Sequence, residues 1–190
     1  MNILLTNDEG IHAPGLQALI QSMPKDIRFV VAAPANERSA ASHSITLGQK
    51  LRVEEYREKG TPLFAVHGTP ADCVKFALSG IKGFVPDLIL SGINQGANTG
   101  VSVYYSGTIS AAREGFINGV PSIAVSLASK TSSDFKASVE LIHSLIARHK
   151  TCGFPCNVML NINIPARASE NIKGIKITKQ AHSRFIEEFV

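Results

Sequence analysis

The stretch NILLTNDEG, residues 2–10, decides the fold, because an apolar run ends there abruptly in polar and acidic residues. A short continuous apolar run is typical of a strand buried on both faces of a parallel sheet. Pro14 stands where it favours the start of a helix, and a second apolar run, IRFVVAA at residues 27–33, is closed by Pro34. The pattern predicts a strand–helix–strand unit with the usual right-handed crossover.

The same alternation continues along the rest of the chain. Further strands are predicted at residues 63–66, 87–91, 121–127, 157–164 and 174–178. Further helices are predicted at about 70–78, with Thr69 as N-cap, at about 107–117 and at about 133–148. This order predicts an α/β fold, a Rossmann-like, doubly wound and mostly parallel sheet in a three-layer α/β/α domain spanning residues 1–190.

The composition excludes several classes of protein. With 44% hydrophobic and 18% charged residues over 190 positions, the chain is globular rather than disordered. The basic residues behind the net charge of +4 are dispersed, so no nucleic-acid polymer is expected as a partner. The three cysteines, Cys73, Cys152 and Cys156, lack the spacing of a zinc site. Neither a signal peptide nor an apolar run of membrane-spanning length is visible, so we expect a cytoplasmic protein.

Two adjacent acids, Asp8 and Glu9, follow the first predicted strand. Ligands of open α/β sheets bind beyond the carboxyl ends of the strands. Adjacent carboxylates repel each other unless a cation compensates them, and no lysine or arginine lies between Met1 and Met23. A hard divalent ion, Mg²⁺ or Mn²⁺, is the natural compensation, while a solvated acidic turn is the alternative.

A glycine-rich loop and a second polar turn follow later strands. Three glycines within the nine residues 92–100 let a backbone approach an anion closely, and Asn94 and Asn98 offer carbonyl oxygens to a metal. Ser106-Gly107-Thr108 opens a predicted helix, whose free N–H groups suit a phosphate. Ordinary turn and capping chemistry is the alternative at both places. A Walker A sequence and the dinucleotide glycine pattern are both missing, which argues against a P-loop ATPase and a nicotinamide dehydrogenase.

Six sequence motifs together resemble the SurE family of 5′(3′)-nucleotidases, also called stationary-phase survival proteins. The resemblance covers essentially the whole chain. The motifs are Asn7-Asp8-Glu9-Gly10, Ala13-Pro14-Gly15, Ser39 with Ser44-Ile45-Thr46-Leu47, Gly68-Thr69-Pro70-Ala71-Asp72-Cys73-Val74, Ser91-Gly92-Ile93-Asn94-Gln95-Gly96-Ala97-Asn98, and Tyr105-Ser106-Gly107-Thr108.

The resemblance implies a role for each of these loops. One divalent metal ion per subunit, Mg²⁺ or Mn²⁺, is expected to be bound by Asp8, Glu9, Ser39 and Asn94. Phosphate is expected to contact Asn98, Ser106, Gly107 and Thr108. The implied substrates are nucleoside 5′- and 3′-monophosphates, with short-chain polyphosphate left open, and the implied assembly is a homodimer or homotetramer.

The chain departs from the family pattern in two respects. Glu9 stands where the family usually has a second aspartate, and its extra methylene changes the reach of the carboxylate. Family members are also typically longer, with a C-terminal arm exchanged between subunits. Because this chain stops at Val190, that arm is expected to be missing.

Metal-assisted attack of water on phosphorus is the expected mechanism, with Asp8 as the principal catalytic residue. An alternative makes Asp8 a nucleophile, but aspartate phosphatases usually carry a second aspartate two residues later, and position 10 is glycine. His12 and His43 are candidates for the general acid, and either could equally be an ordinary loop residue. A module that binds nucleotides without cleaving them is the non-enzymatic alternative.

Overall fold

A computed structural model describes residues 1–58, 60–155, 157–186 and 188. Within these ranges the strands and helices follow the predicted alternation. In chain order they are β1 (Asn2–Thr6), α1 (Pro14–Ser22), β2 (Arg28–Pro34), β3 (Val53–Glu58), β4 (Thr61–Val66), α2 (Pro70–Gly80), β5 (Leu88–Gln95), α3 (Ser102–Tyr105), α4 (Gly107–Ile117), β6 (Ser122–Leu127), α5 (Lys136–Cys152) and β7 (Met159–Ile164).

The strands form a seven-stranded sheet in the order β3-β4-β2-β1-β5-β6-β7. Every neighbouring pair is parallel except β3 and β4, which form an antiparallel hairpin at one edge. The strand order reverses between β1 and β5, so the topological switch point lies between these two strands. The predicted doubly wound α/β fold is confirmed.

Helices cover both faces of the sheet and bury a core on each side. Ile3 and Leu5 of β1 pack with apolar residues of α1 and α5, whereas Leu4 packs with residues of α2 and α4. Successive side chains of a strand point to opposite faces, so an apolar residue at every position is what two covered faces require. The continuous run at the start of the chain therefore reflects burial on both sides.

Local capping starts two of the helices where the sequence predicts. The side chain of Thr69 accepts the backbone N–H of Asp72, and the Asp72 carboxylate accepts the backbone N–H of Thr69, which forms a capping box ahead of α2. The hydroxyl of Ser106 caps α4 by accepting the backbone N–H of Ile109. The predicted helix at 107–117 is confirmed.

One predicted element is absent from the described residues, and two observed elements were not predicted. The predicted strand at 174–178 is wrong: these residues have no regular secondary structure, and Ile175 and Ile177 are 75% and 102% exposed. An apolar alternation forms a strand only where a neighbouring strand accepts its hydrogen bonds. β3 was not predicted, because its sequence VEEYRE belongs to a largely exposed edge strand, and the four-residue helix α3 was also missed.

A close contact between α1 and β5 shapes the site end of the sheet. A Cβ atom on Gly15 would lie 1.8 Å from the carbonyl oxygen of Ile93, so only glycine lets α1 approach β5 this closely. The register of β5 against β6 shifts between Ser91 and Asn94, and the Gly92–Ile93 peptide bond in this bend is cis. β5 continues past the bend to Gln95, four residues beyond the predicted end, and presents Asn94 at the switch point.

Candidate functional site

The acidic pair lies at the carboxyl ends of β1 and β5. Thr6 is the register partner of Ser91, so the residues that follow them on the two strands are neighbours in space. The backbone N–H of Gln95 donates to Oε1 of Glu9 at 2.9 Å, which joins the acidic turn directly to the end of β5. Asn94, the preceding residue on β5, is therefore close to this turn.

Asp8 reaches the N-terminus of α4. The hydroxyl of Thr108 donates to Oδ1 of Asp8 at 2.5 Å, and Asp8 is 4% exposed. A Cβ atom on Gly107 would lie 2.6 Å from Cβ and 2.9 Å from Oδ2 of Asp8, so glycine at this position admits the carboxylate. The structure thus brings together the acidic turn and the Ser106-Gly107-Thr108 turn, which are about a hundred residues apart in sequence.

Burial disfavours the ionised forms of the Asp8 and Glu9 carboxylates. Burial raises the pKa of Asp8, against hydrogen bonds from Thr108 and the backbone of Gly107 that lower it. Burial also raises the pKa of Glu9, against the N–H of Gln95, and repulsion from Asp8 and Glu37 raises it further. The shifts have the direction expected of acids crowded into a partly dry site, where a cation would restore the charged forms.

Unpartnered oxygens show how the donor set suits a hard cation. Oε2 of Glu9 and Oδ1 of Asn7 are buried and have no hydrogen-bond partner among the residues that the structure describes. The side-chain amide of Asn94 donates through Nδ2 to the carbonyl of Gly96. This hydrogen bond does not use Oδ1 of Asn94, which remains available as a metal ligand. Among the described residues no three His, Cys, Asp or Glu residues cluster as metal ligands, so neutral oxygens must complete any coordination shell here.

Ser39 lies beside the site on a segment of irregular backbone, residues 36–46, which we call the serine-rich segment. The backbone N–H of Arg38 donates to the carbonyl oxygen of Asp8 at 2.7 Å. Ser39 itself is exposed, and its hydroxyl donates to Oε1 of Glu37 at 2.6 Å. The segment is therefore held next to Asp8, while the Ser39 hydroxyl is directed to Glu37.

The residues predicted to contact phosphate fall into two groups. Gly107 and Thr108 contact the Asp8 carboxylate, and Ser106, the residue before them, caps α4. The hydrogen bonds of Asn98 run instead toward β6 and β7: its Nδ2 donates to Oγ of Ser126 at 2.9 Å, and its N–H donates to Oδ1 of Asn163 at 2.8 Å. The capping alternative therefore holds for Ser106, without excluding a phosphate contact.

The two candidate general acids occupy different surroundings. His12 is exposed, and its ring stacks on Tyr56 with a centroid distance of 6.4 Å. Nε2 of His43 lies 2.8 Å from Oε2 of Glu114, a buried acid of α4. Among the hydrogen bonds of the described residues, neither histidine is bonded to Asp8 or Glu9.

The chain matches a profile of known proteins over almost its whole length. The profile of the family described as Survival protein SurE matches residues 3–187. The chain belongs to the SurE family. The resemblance of the six motifs is thereby confirmed.

Relatives within the SurE family match over the same region. The 5′-nucleotidase SurE of Desulfatibacillum aliphaticivorans is 45% identical over 190 residues, which is 100% of this chain and 75% of the relative. The 5′-nucleotidase SurE of Moorella thermoacetica is 46% identical over 187 residues, 97% of this chain and 72% of the relative. The crystal structure of SurE protein from Aquifex aeolicus has a TM-score of 0.86 at 37% identity, and the match covers 96% of this chain and 73% of that one.

Sequence patterns missed several residues that support the site of this SurE chain. Nδ2 of Asn161 and Nδ2 of Asn163 both donate to the carbonyl oxygen of Asn98, at 3.0 and 3.2 Å. Oδ1 of Asn163 also accepts the backbone N–H of Asn98. The side-chain amide of Asn163 therefore bonds to both the N–H and the C=O of Asn98. Two asparagines spaced by two in an otherwise apolar strand were the available indication.

The remaining expectations concern the cysteines and membranes. Cys73 is buried, which raises the pKa of its thiol well above the ordinary range, and Cys152 is an exposed free thiol. Cys156 lies outside the described residues. None of the helices in the described ranges is long and apolar enough to cross a membrane.

Proposed function

We propose that this chain is a metal-dependent phosphomonoesterase that hydrolyses nucleoside 5′- and 3′-monophosphates to nucleoside and phosphate. The observation that carries the proposal is the contact between Asp8 and the N-terminus of α4, which sets a buried acid against an anion-binding group. The relatives named 5′-nucleotidase SurE support the choice of substrate.

The metal would be held by Asp8, Glu9, Ser39 and Asn94. The unpartnered Oε2 of Glu9 supports this assignment, since a buried carboxylate oxygen without a donor is costly unless a cation meets it. When bound, a Mg²⁺ or Mn²⁺ ion supplies charge neutralisation at phosphorus and lowers the pKa of a coordinated water. The Ser39 hydroxyl uses its hydrogen on Glu37, so its oxygen lone pairs remain for such an ion.

The phosphoryl group would lie at the N-terminus of α4. The backbone N–H groups of Gly107 and Thr108 donate to the negatively charged Asp8 carboxylate. They would stabilise the negative charge of a transferring phosphoryl group in the same way. Ser106 and Asn98 would contact the phosphate. Water attacks phosphorus, the ester P–O bond breaks, and the nucleoside leaves with a proton.

Two further features of the family are proposed with this activity. Short-chain polyphosphate is a substrate of the same site, because its terminal phosphate presents the same oxygens. A homodimer or homotetramer is the proposed assembly, supported by large apolar side chains that are exposed among the described residues, including Leu47, Val85, Ile175, Ile177 and Ile186.

Phosphate release from a panel of 5′- and 3′-nucleoside monophosphates and tripolyphosphate tests the proposal, with Mg²⁺, with Mn²⁺ and with chelator. We expect metal-dependent release, and we expect Asp8→Asn to lower kcat/KM at least about a hundredfold. Asp26→Asn is the matched control, because Asp26 is exposed and paired with Lys150. Silence under every metal from folded protein would indicate a binding module, and trapping of a phosphorylated Asp8 would replace the water mechanism.

A further inference from the structure

The serine-rich segment is not held by a hydrophobic core. None of its residues, from Asn36 to Thr46, is buried. Two of its non-glycine residues, Ala40 and Ser42, have φ of 56° and 52°, in the left-handed region that side chains disfavour. Such conformations persist only where surrounding contacts determine them. The position of Ser39 therefore depends on the polar contacts that anchor the segment on either side of it.

Those contacts lie at both ends of the segment. Before Ser39, the N–H of Arg38 donates to the carbonyl of Asp8. After it, the N–H of Ser42 donates to the carbonyl of Tyr105 at 3.0 Å, and the N–H and hydroxyl of Thr46 donate to the Asp72 carboxylate at 2.9 and 2.7 Å. Between Ser42 and Thr46, the hydroxyl of Thr69 donates to the carbonyl of Ser44 at 2.7 Å, and His43 contacts Glu114 of α4.

His43 contacts a buried carboxylate that the proposed mechanism does not use. Glu114 of α4 is 6% exposed, and a buried carboxylate is costly without donors. Its donors are Nε2 of His43 at 2.8 Å, Nδ2 of Asn118 at 3.0 Å and, more distantly, Nζ of Lys75 at 3.6 Å. The contact with His43 of the serine-rich segment is the shortest of the three. Glu114 therefore holds the segment against α4 through this hydrogen bond.

We propose that Glu114 is a positioning residue, which acts through His43 to hold the serine-rich segment, and with it Ser39, against the acidic pair. The same helix then carries both parts of the arrangement: its N-terminus contacts Asp8, and its second turn anchors the segment that faces Asp8. The inference rests on the proposed metal-dependent function. It assigns His43 to an anchor instead of the general acid, since its Nε2 is engaged by Glu114.

Binding of Mn²⁺ alone to the wild-type protein and to Glu114→Ala, Glu114→Gln and His43→Ala, measured by calorimetry, tests the proposal. Removal of an outer partner of a metal site typically weakens metal affinity about 10-fold to 100-fold. We expect a loss near the lower figure for Glu114→Ala and for His43→Ala, and a smaller loss for Glu114→Gln, which keeps an oxygen acceptor. A double variant that combines Glu114→Ala with His43→Ala should show no further loss. Hydrogen exchange of the Arg38 and Ser42 amides should accelerate in parallel.

His67→Gln is the matched control, because Nε2 of His67 lies 2.7 Å from Glu54 and the pair joins β3 to the end of β4. It should leave Mn²⁺ affinity unchanged. Unchanged Mn²⁺ affinity in folded Glu114→Gln and His43→Ala would overturn the positioning role, and so would a fall in unfolding free energy with no change in amide exchange at Arg38 and Ser42. If wild-type protein binds no Mn²⁺ and releases no phosphate, the proposed function itself fails, which is a separate result.

Discussion

The candidate site has two sides that are built differently. On the strand side, Asp8, Glu9 and Asn94 lie at the ends of β1 and β5 and are fixed by the sheet and by α4. On the opposite side, Ser39 lies on the exposed serine-rich segment, which is fixed by hydrogen bonds. The acids follow directly from strands of the sheet, whereas the position of the segment depends on a few contacts. Substitutions on the strand side should therefore have larger effects.

Gly15→Ala should have the largest effect on stability. The new Cβ would lie 1.8 Å from the carbonyl oxygen of Ile93. That oxygen belongs to the main chain and the Cβ is bonded directly to the main chain, so neither can move aside without moving the backbone. We expect a loss of about 3 kcal/mol or more in the free energy of unfolding, measured by denaturant titration. Gly48→Ala, beyond the serine-rich segment, meets no atom within 4 Å and costs only the strain of its φ of +69°, about 1–2 kcal/mol. Equal losses would contradict the distinction between the two sides.

Gly107→Ala should lower activity by displacing Asp8. Its Cβ would lie 2.6 Å from Cβ of Asp8, 2.9 Å from Oδ2 of Asp8 and 2.9 Å from Cγ of Pro70, so the carboxylate must move from its position. Displacement of a reacting group by about 1 Å commonly lowers the rate a hundredfold, and we expect that loss in kcat/KM for nucleotide hydrolysis. Gly119→Ala, just beyond the other end of α4, meets no atom within 4 Å and should keep full activity despite its φ of +77°.

Without metal, Glu9→Gln should have the smallest effect on stability of the substitutions considered, in a direction set by pH. Burial raises the pKa of Glu9 above its ordinary 4.5, and repulsion from Asp8 and Glu37 adds to this. A carboxyl group of raised pKa stabilises the fold while protonated, and that contribution is lost as pH rises through its folded pKa. Without metal, Glu9→Gln should therefore gain unfolding free energy relative to wild type as pH rises from 4.5 to 7.

The control for the pH experiment has the opposite sign. The hydrogen bond from His67 and the charge of Arg52 lower the pKa of Glu54, so the wild type should gain stability relative to Glu54→Gln as pH rises through the acidic range. Thermal melts across that range compare the two variants. If the stability of Glu9→Gln relative to wild type changes with pH as that of Glu54→Gln does, the pKa of Glu9 is not raised in the folded protein.

The strand side was predictable from sequence because it follows from the sheet. An apolar run that ends in Asp8 places that residue at the carboxyl edge, and parallel strands bring all such ends together. No comparable regularity governs the serine-rich segment, so Ser39 was assigned through family resemblance. Glu114 was not predictable, since its contact with His43 spans 71 residues and depends on how α4 packs. The strand prediction at 174–178 was wrong for a related reason. Alternation of apolar and polar residues is a local pattern, whereas a strand needs a neighbouring strand to pair with.

The hairpin strand β3 has a consequence for how copies of the chain meet. Parallel sheets end in rows of free N–H and C=O groups, on which a strand from another molecule can pair. At the β3 edge those rows are accompanied by three glutamates and one arginine within six residues. Three glutamates against one arginine leave each strand with a net negative charge, so two copies approaching through this edge would repel each other. The sheet therefore cannot readily extend from β3 into a neighbouring molecule, and this side of the molecule resists edge-to-edge aggregation.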